Sequence, residues 1–402
     1  MGACIGRLLL RNIMSIEVRE KKLGLLLGGS GLIGGAITHY FKTLASDDID
    51  LRAPSSKKLS IRVPDDIKQY FREAKPDFII NAAIASIDSD SVLAFETNYV
   101  GPMHLAKAAI ALGIPYIHLS SAAVMPSGEN LTEDQVLDLR GQLSNYAKSK
   151  LMAEMSLRHL GETEGLDYTI IRLAVVYGKH DHKIQGFQRL FFSVVDQAIP
   201  VLLTRPGVCH SYSNTKKLPP FISHILSRRE EFGRQTYNFV DPDPVELAQV
   251  ILAIKKHLRL GTPKEIYVPY RLAKTGKVWL RWIMRRLSRL GIVARMPAEL
   301  IFLENFYRTQ TLSCEKLRRS SYGIVQPEWT VFTEFPAMIE YYLTRWKHLN
   351  LITLDTEFYE TNPWVQDFID APDRLLTAVH NRRCDLLTDP EEPVQRLHPA
   401  SK

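Results

Sequence analysis

The stretch LGLLLGGSGLIG, residues 23–34, decides the fold. A short apolar run ends in glycines, and apolar residues at helical spacing follow over 32–44. Glycines allow a tight turn from strand to helix and let backbone N–H groups approach a phosphate at the positive end of the helix. We therefore predict that the loop binds the pyrophosphate of a dinucleotide, whereas the alternative is a purely structural turn. The predicted contacts are Gly28, Ser30, Gly31, Leu32, Ile33 and Gly34.

Working outward from this loop, apolar runs alternate with helical patterns. Runs rich in Ile, Phe and Tyr occur at 78–81, 116–120 and 168–173, and helical patterns lie between them. Such alternation predicts an α/β protein with a Rossmann-type, doubly wound parallel sheet and a smaller, mostly helical C-terminal substrate region. The predicted segments are an N-terminal extension (1–21), a dinucleotide-binding domain (22–175), a substrate-binding part interleaved with the last strands (176–265), a helical extension (266–384) and a polar tail (385–402).

Composition limits the class of protein. The 402 residues are 45% hydrophobic and 24% charged, which fits a globular chain and excludes a disordered or disulfide-stapled one. The net charge of +7 suits anionic ligands but is too dilute to predict a nucleic-acid partner. Four scattered cysteines, and no apolar run near the ~18 residues of a membrane span, predict a cytoplasmic protein, with the inner face of a membrane as the alternative.

The end of the second predicted strand bears on the choice of cofactor. An acidic residue there would bind the ribose hydroxyls of NAD, whereas an arginine accommodates the 2′-phosphate of NADP. Arg52 stands at this point, and Lys57 and Lys58 follow. We predict NADP, with NAD as the alternative if Asp50 binds the ribose instead.

A second chemical feature is the pair Tyr146 and Lys150. Four residues apart, they share one helix face. A nearby ammonium favours the phenolate, which predicts a lowered pKa for Tyr146 and a role as an acid or base. Ser121 lies at the end of the preceding apolar run, where its hydroxyl can bind the reacting oxygen of a substrate.

Together these motifs resemble the extended short-chain dehydrogenases/reductases, and most closely the NAD-dependent epimerase/dehydratase group. The segment Lys75–Ala83 resembles the dTDP-4-dehydrorhamnose reductases. The resemblance implies that Tyr146 exchanges a proton with the substrate, Lys150 binds the nicotinamide ribose, and Ser121 positions the substrate oxygen. It implies that Asn98 supports the active-site helix or a proton-relay water. The further cofactor contacts that it implies are Asn81, Ala82, Ala83, Ser120 and Leu173, beside Tyr146 and Lys150.

The first-choice substrate is a nucleotide-activated sugar, with Ala122, Val175, His210 and Lys216 as candidate contacts. Three departures from the family pattern weigh against a nucleotide sugar. Val175 stands near the position of a diphosphate-binding Asn, Asn214–Lys217 replace a Val-x-Asp signature, and Val124-Met-Pro126 replaces Val-Tyr-Gly. The alternatives are a lipid or sterol-like alcohol, as in the 3β-hydroxysteroid dehydrogenases, and a non-catalytic NADP(H) sensor or scaffold.

Two further segments are candidates for binding a ligand or a partner. His180-Asp-His182 lacks a third spaced ligand, so we predict no metal site. Residues 271–295 hold eight basic residues and no acidic one, and 274–295 show helical spacing of Trp, Ile and Leu. This pattern predicts either peripheral contact with an anionic membrane or an ordinary packed helix. A homodimer through the helices at 97–112 and 146–162 is a further expectation from the family.

Overall fold

The computed structural model describes residues 21–45, 48–179, 187–195, 201–203, 207–289, 303–323, 328–349, 351 and 371–380. The predictions for residues 1–20, His180–His182 and 385–402 lie outside the described residues. The chain forms two compact units, 1–339 and 340–402. The second unit contains the end of the helix Val331–His348 and the helix Pro372–His380. The five predicted segment boundaries stay predictions.

The described strands fall into one large sheet and three smaller ones. The strands are β1 Lys22–Leu27, β2 Ile49–Arg52, β3 Phe78–Asn81, β4 Tyr116–Ser121, β5 Gly128–Leu131, β6 Tyr168–Leu173, β7 Val175–Tyr177, β8 Val201–Leu203, β9 Cys209–His210, β10 Tyr212–Asn214, β11 Gln235–Phe239, β12 Val245–Glu246, β13 Lys264–Ile266 and β14 Gln310–Leu312. The large sheet is parallel throughout, in the order β2-β1-β3-β4-β6-β11. This confirms the predicted fold class.

The strand order creates a crevice. From β1 the chain crosses over to β2 on one side and then returns to β3 on the other side of β1. Ligands of doubly wound sheets bind at such a switch point, outside the carboxyl ends of the strands. The loop after β1 and the loop after β3 both open into this region.

Helices cover both faces of the sheet. They are α1 Leu32–Thr43, α2 Pro64–Glu73, α3 Ser91–Phe95, α4 Gly101–Leu112, α5 Asn145–Thr163, α6 Phe187–Val195, α7 Leu218–Ser227, α8 Arg229–Phe232, α9 Leu247–His257, α10 Tyr270–Arg289, α11 Leu303–Tyr307, α12 Glu315–Arg319, α13 Val331–His348 and α14 Pro372–His380. Along β1, Leu26 packs with α1 and α7, whereas Leu25 and Leu27 pack with α2, α4 and α5. Burial on both faces explains why these strands are apolar without alternation.

A second sheet ties distant parts of the chain together. Its order is β12-β9-β14-β5, so β14 from the C-terminal region lies between strands from earlier in the sequence. β5 begins close after the end of β4, so this sheet lies next to the segment that follows Ser121. Within the described part of the chain, no helix combines the length and apolar character needed to cross a membrane.

Candidate active site

The glycine loop is built to bring β1 and α1 close together. Gly28 has a φ of +83°, a conformation that favours glycine. A Cβ on Gly34 would lie 2.0 Å from the Gly28 carbonyl oxygen, so a side chain there would push the helix away from the strand. Gly31 caps α1, and its N–H donates to the Gly28 carbonyl oxygen at 3.1 Å.

The start of α1 fits an anionic ligand. The first backbone N–H groups of a helix have no partner within the helix, and its dipole favours a negative charge there. The first turn of α1 contains no acidic residue, and Ser30 and Gly31 are exposed beside it. These residues fit the pyrophosphate of a dinucleotide.

Arg52 ends β2 with an exposed side chain. Its Nε lies 3.4 Å from Oδ2 of Asp50, in a pair that is more than half exposed on both sides. An exposed pair of this kind contributes little to stability. Asp50 and Arg52, the two candidate contacts for the cofactor ribose, therefore lie at the same end of β2. The Arg52 guanidinium is exposed and accessible to a phosphate. Lys57 and Lys58 are exposed in the loop that follows.

Ser121, Tyr146 and Lys150 meet at the carboxyl edge of the main sheet. Ser121 ends β4, and the other two residues lie one turn apart near the start of α5. Lys150 Nζ donates to the Leu119 carbonyl oxygen at 2.8 Å, which ties the helix to the strand that carries Ser121. The Ser121 side chain lies close enough to the Tyr146 phenol to lower the pKa of that phenol. Tyr146 is only 7% exposed and Lys150 only 3%.

The protonation of this cluster differs from the expected one. Burial raises the pKa of Tyr146, and the neighbouring Ser121 side chain opposes that rise. The prediction from the sequence was a lowered pKa for Tyr146, because it included the nearby ammonium and left out the desolvation of a buried phenolate. Burial also lowers the pKa of Lys150 to about 8, against the opposing effect of Glu154. The cluster thus combines a protonated phenol with a lysine that loses its proton in mildly alkaline solution.

Asn98 lies on a π-helical turn, Glu96–Val100, between α3 and α4. Its side chain is fully buried, and Oδ1 accepts a hydrogen bond from the Ala85 N–H at 2.8 Å. It therefore fixes the segment that follows β3. Its Nδ2 has no hydrogen-bond partner among the described residues. Buried donors are normally paired with protein or water, so this amide is a binding position for a water or a ligand oxygen.

Asn81 and Ser120 use their side chains inside the protein. Asn81 Nδ2 donates to the Tyr116 hydroxyl at 2.9 Å, and its Oδ1 accepts from the Ala83 N–H. The Ser120 hydroxyl donates to Glu154 Oε1 at 2.6 Å. Contacts of these two residues with a cofactor would therefore come from their backbone. The other implied contacts are Ala82 and Ala83, which follow β3, and Leu173, which ends β6.

A buried ion pair behind the cluster was missed by the sequence reasoning. Glu154 and Arg172 are both fully buried, and three guanidinium–carboxylate contacts of 2.7–3.2 Å join them. Arg158, on the same helix as Glu154, lies 3.1 Å from the same carboxylate. The available signal was spacing, since Glu154 follows Lys150 by one turn on the face that carries Tyr146.

A second missed group lies beneath α5 on β4. The Tyr116 hydroxyl lies 3.3 Å from Nδ1 of His118, and both side chains are fully buried. Burial, aided by the Lys150 ammonium, holds the pKa of His118 well below its ordinary value, so the ring is neutral. Its Nε2 has no hydrogen-bond partner among the described residues. Polar residues at alternate positions of a buried strand were the signal for this group.

The third missed residue is Gln310, on β14. Its Nε2 lies 3.1 Å from each of three carbonyl oxygens, those of Ala122, Met125 and Pro126. The turn that follows Ser121 is therefore anchored by the C-terminal region. No local pattern could show this, because almost two hundred residues separate the partners.

The four predicted substrate residues do not all reach the cluster. Ala122 directly follows Ser121 and is buried, and Val175 is half-buried at the start of β7. His210 is buried on β9, in the second sheet. Lys216 is engaged with Glu334 Oε1 at 3.2 Å and with the Trp329 ring, 4.5 Å from its centroid, rather than with the Tyr146 site.

Lys217 is buried, in contrast to the exposed Lys216 next to it. Lys217 lies 2.9 Å from Asp241 Oδ1, while Oδ2 of the same carboxylate accepts from the Tyr177 hydroxyl at 2.6 Å. In the segment Asn214–Lys217, the buried charge therefore belongs to a structural ion pair.

Comparison with known proteins identifies the family. A model of the NAD dependent epimerase/dehydratase family matches residues 25–268, more than half of the chain. The chain belongs to this family. A dTDP-4-dehydrorhamnose reductase of Sinorhizobium fredii is 29% identical over 166 residues, which cover 40% of this chain and 53% of that protein. The chain spans about half to three fifths of the length of the first curated relatives that it matches.

Solved structures of low identity share the family fold. The dTDP-glucose 4,6-dehydratase of Bacillus anthracis in complex with NAD has a TM-score of 0.60 at 14% identity, over 81% of this chain and 98% of the other. The dTDP-4-dehydrorhamnose reductase of the same organism in complex with NADP has a TM-score of 0.51 at 16% identity, over 74% and 98%. In this family member, the glycine loop and the Tyr146 cluster lie at the same edge of the sheet.

Proposed function

We propose that the protein is an NAD(P)-dependent oxidoreductase that reduces or epimerises a nucleotide-activated sugar at a hydroxyl or keto carbon. The observation that carries the proposal is the meeting of Ser121, Tyr146 and Lys150 at the sheet edge onto which the glycine loop opens. A dinucleotide sensor has no use for a buried phenol held in this way.

Proton transfer is the role of Tyr146. A bound nicotinamide cofactor supplies the hydride. Because burial keeps the phenol protonated, Tyr146 donates its proton to the carbonyl oxygen of a substrate while the carbonyl carbon is reduced. The Ser121 hydroxyl holds the same oxygen, so the carbonyl is oriented before the proton moves.

Lys150 and Asn98 support that step. The Lys150 ammonium, held by the Leu119 carbonyl, would bind the nicotinamide ribose and stabilise the phenolate that remains after proton transfer. Nδ2 of Asn98, which has no partner within the described part of the chain, offers a binding position for a water through which the phenolate regains a proton.

NADP is the proposed cofactor, with NAD as the alternative. The exposed guanidinium of Arg52 at the end of β2 and the exposed Lys57 and Lys58 suit a 2′-phosphate. Related structures contain NADP in one case and NAD in another.

A phosphate-bearing substrate agrees with the names of the relatives, which are dTDP-4-dehydrorhamnose reductases and a GDP-L-colitose synthase. Val175, at the position where an asparagine is expected, cannot donate a hydrogen bond to a diphosphate. The proposal therefore leaves diphosphate binding to groups other than this side chain. The homodimer through 97–112 and 146–162 stays a prediction.

The test compares the full chain with Tyr146→Phe, and with Tyr267→Phe as the control for an exposed tyrosine. Oxidation of NADPH and NADH is followed with dTDP-4-dehydrorhamnose, and cofactor binding is followed by nucleotide fluorescence. We expect the Tyr146 variant to lose turnover by about a hundredfold or more and to keep cofactor affinity within about twofold. A wild-type protein that binds NADPH and reduces neither this sugar nucleotide nor a panel of other carbonyl compounds, sterol-like ketones included, would favour the sensor.

A further inference from the structure

One helix of the C-terminal region presents large apolar side chains to solvent. On α10, the exposed fractions are 64% for Leu272, 62% for Val278, 66% for Trp279 and 53% for Trp282. Residues 272, 279 and 282 project in similar directions from the helix, with 278 at their border. The opposite side carries Ala273, which is buried. We call these four exposed residues the α10 strip.

Basic residues are frequent along the helix that carries the α10 strip. The helix contains seven basic residues and no acidic one. They are Arg271, Lys274, Lys277, Arg281, Arg285, Arg286 and Arg289. The Arg286 guanidinium lies 5.3 Å from the centroid of the Trp282 ring, so a cation borders the apolar strip directly. Large aromatic side chains and cations on one exposed surface are the mark of helices that lie in a membrane interface.

The helix is fastened to the protein at its first turn. The Tyr270 hydroxyl donates to the Glu304 carboxylate at 2.6 Å. Glu304 lies on α11, and so does Tyr307. The Tyr307 hydroxyl donates to the Val268 carbonyl oxygen at 2.5 Å. The start of α10 is therefore attached to this unit, and the helix carries the α10 strip away from that attachment.

We propose that the α10 strip docks the protein on the surface of an anionic lipid bilayer. Charge complementarity selects this occupant. The cations meet anionic headgroups, and the tryptophans enter the boundary between headgroups and acyl chains. A nucleic acid would engage the cations and leave Trp279 and Trp282 in water. A second copy paired through the same helix would set one basic helix against another. The proposal goes beyond the enzymatic one and does not depend on it.

The experiment is co-sedimentation of the full chain with vesicles of phosphatidylcholine, with and without phosphatidylglycerol. We expect binding to the anionic vesicles alone, weakened by salt, and a blue shift of tryptophan fluorescence on binding. The double variant Trp279→Ala, Trp282→Ala is expected to bind at least about tenfold more weakly. The double variant Lys274→Glu, Arg286→Glu is expected to lose affinity for the anionic vesicles by at least about fivefold for each residue changed.

The matched control changes an exposed cation and an exposed apolar residue at the end of α1, in the double variant Lys42→Glu, Leu44→Ala. It should bind like the wild type. Circular dichroism and the midpoint of urea unfolding show whether each variant is folded. Vesicle binding that none of the α10 changes weakens would overturn the proposal. If the protein bound no vesicles but bound duplex DNA, and the α10 changes weakened that DNA binding, the partner would be a nucleic acid. If it formed a concentration-dependent dimer that the tryptophan changes abolish, the partner would be a second copy. Either result would overturn the proposal.

Discussion

At the scale of single residues, protonation in the Tyr146 cluster is set by burial more than by neighbouring charge. Tyr146 and Lys150 lie one turn apart, as the sequence indicates, but both are removed from water. Desolvation disfavours the charged form of each group, so the pKa of Tyr146 rises and that of Lys150 falls. Spacing along a helix shows which residues meet, whereas the depth of burial follows from the packing of the whole unit.

The lowered pKa of Lys150, about 8, predicts the pH dependence of reduction. Below this value the ammonium is present, and above it the charge that stabilises the phenolate is lost. We expect kcat/KM for reduction to be constant near neutrality and to fall as the pH rises through about 8. The control Lys148→Met, on the same helix, should keep the wild-type profile. A profile that stays flat through this range would contradict the assignment of Lys150.

Because the His118 ring is buried and neutral, we expect the folded protein to lose stability in acid. The unfolded chain binds a proton near the ordinary pKa of histidine, ~6.5, whereas the folded protein holds the ring neutral to a much lower pH. The unfolded state therefore binds more protons as the pH falls below ~6.5, and stability decreases by up to ~1.4 kcal/mol per pH unit.

Urea unfolding of wild type and His118→Asn at neutral and acid pH measures this effect. The variant keeps a hydrogen-bonding side chain beside the Tyr116 hydroxyl and should lose less stability on acidification than the wild type. His159→Asn, an exposed position on α5, is the control and should behave like the wild type. Equal acid sensitivity of all three proteins would contradict a neutral buried ring.

At the scale of elements, α5 carries the proposed catalytic residues on one face, and its position is fixed by a buried charge. Glu154 binds Arg172 on β6 and Ser120 on β4, so one carboxylate joins the helix to two strands. Removing one member of a fully buried pair leaves the other charge uncompensated.

Glu154→Gln is therefore expected to lower the free energy of unfolding by about 3 kcal/mol or more. Its matched control is Glu162→Gln, at an exposed position of the same helix, for which we expect a change within about 0.5 kcal/mol. The midpoint of urea unfolding measures both. Similar midpoints for the two variants would show that the ion pair does not hold the helix.

The main elements were predictable because their signals are local. The apolar runs at 78–81, 116–120 and 168–173 become β3, β4 and β6 within a residue, and the helical patterns at 97–112 and 146–162 become α4 and α5. The resemblance to the family placed Tyr146, Lys150 and Ser121 in one site. What escaped prediction depends on pairing across the fold. β14 gives no local sign of lying between β5 and β9, and Gln310 gives none of reaching the turn after Ser121.

At the scale of the whole molecule, the C-terminal region forms part of the framework of the candidate active site. Gln310 holds three carbonyl groups of the turn after Ser121 from across the second sheet. The unit of residues 1–339 thus includes chain far beyond the predicted dinucleotide-binding domain.

Gln310→Leu is expected to lower kcat about tenfold and to leave NADPH affinity within about twofold. The three carbonyl groups would lose their hydrogen-bond donor, which costs about 1–3 kcal/mol of folding free energy. The turn that positions Ser121 would then loosen. Steady-state kinetics and nucleotide fluorescence measure the two effects. Thr309→Ala, at the adjacent residue, is the control and should retain wild-type kcat. Equal kcat for wild type and Gln310→Leu would show that the anchor does not affect catalysis.

The π-helical turn at Glu96–Val100 restricts how this chain can change. Such a turn accommodates one residue more than the regular helix on either side of it. Loss of a single residue there would restore regular winding, turn Asn98 out of its buried position and rotate the helix that precedes it relative to α4. Substitutions can accumulate along this segment, but a change of its length by one residue would carry a penalty at the active site.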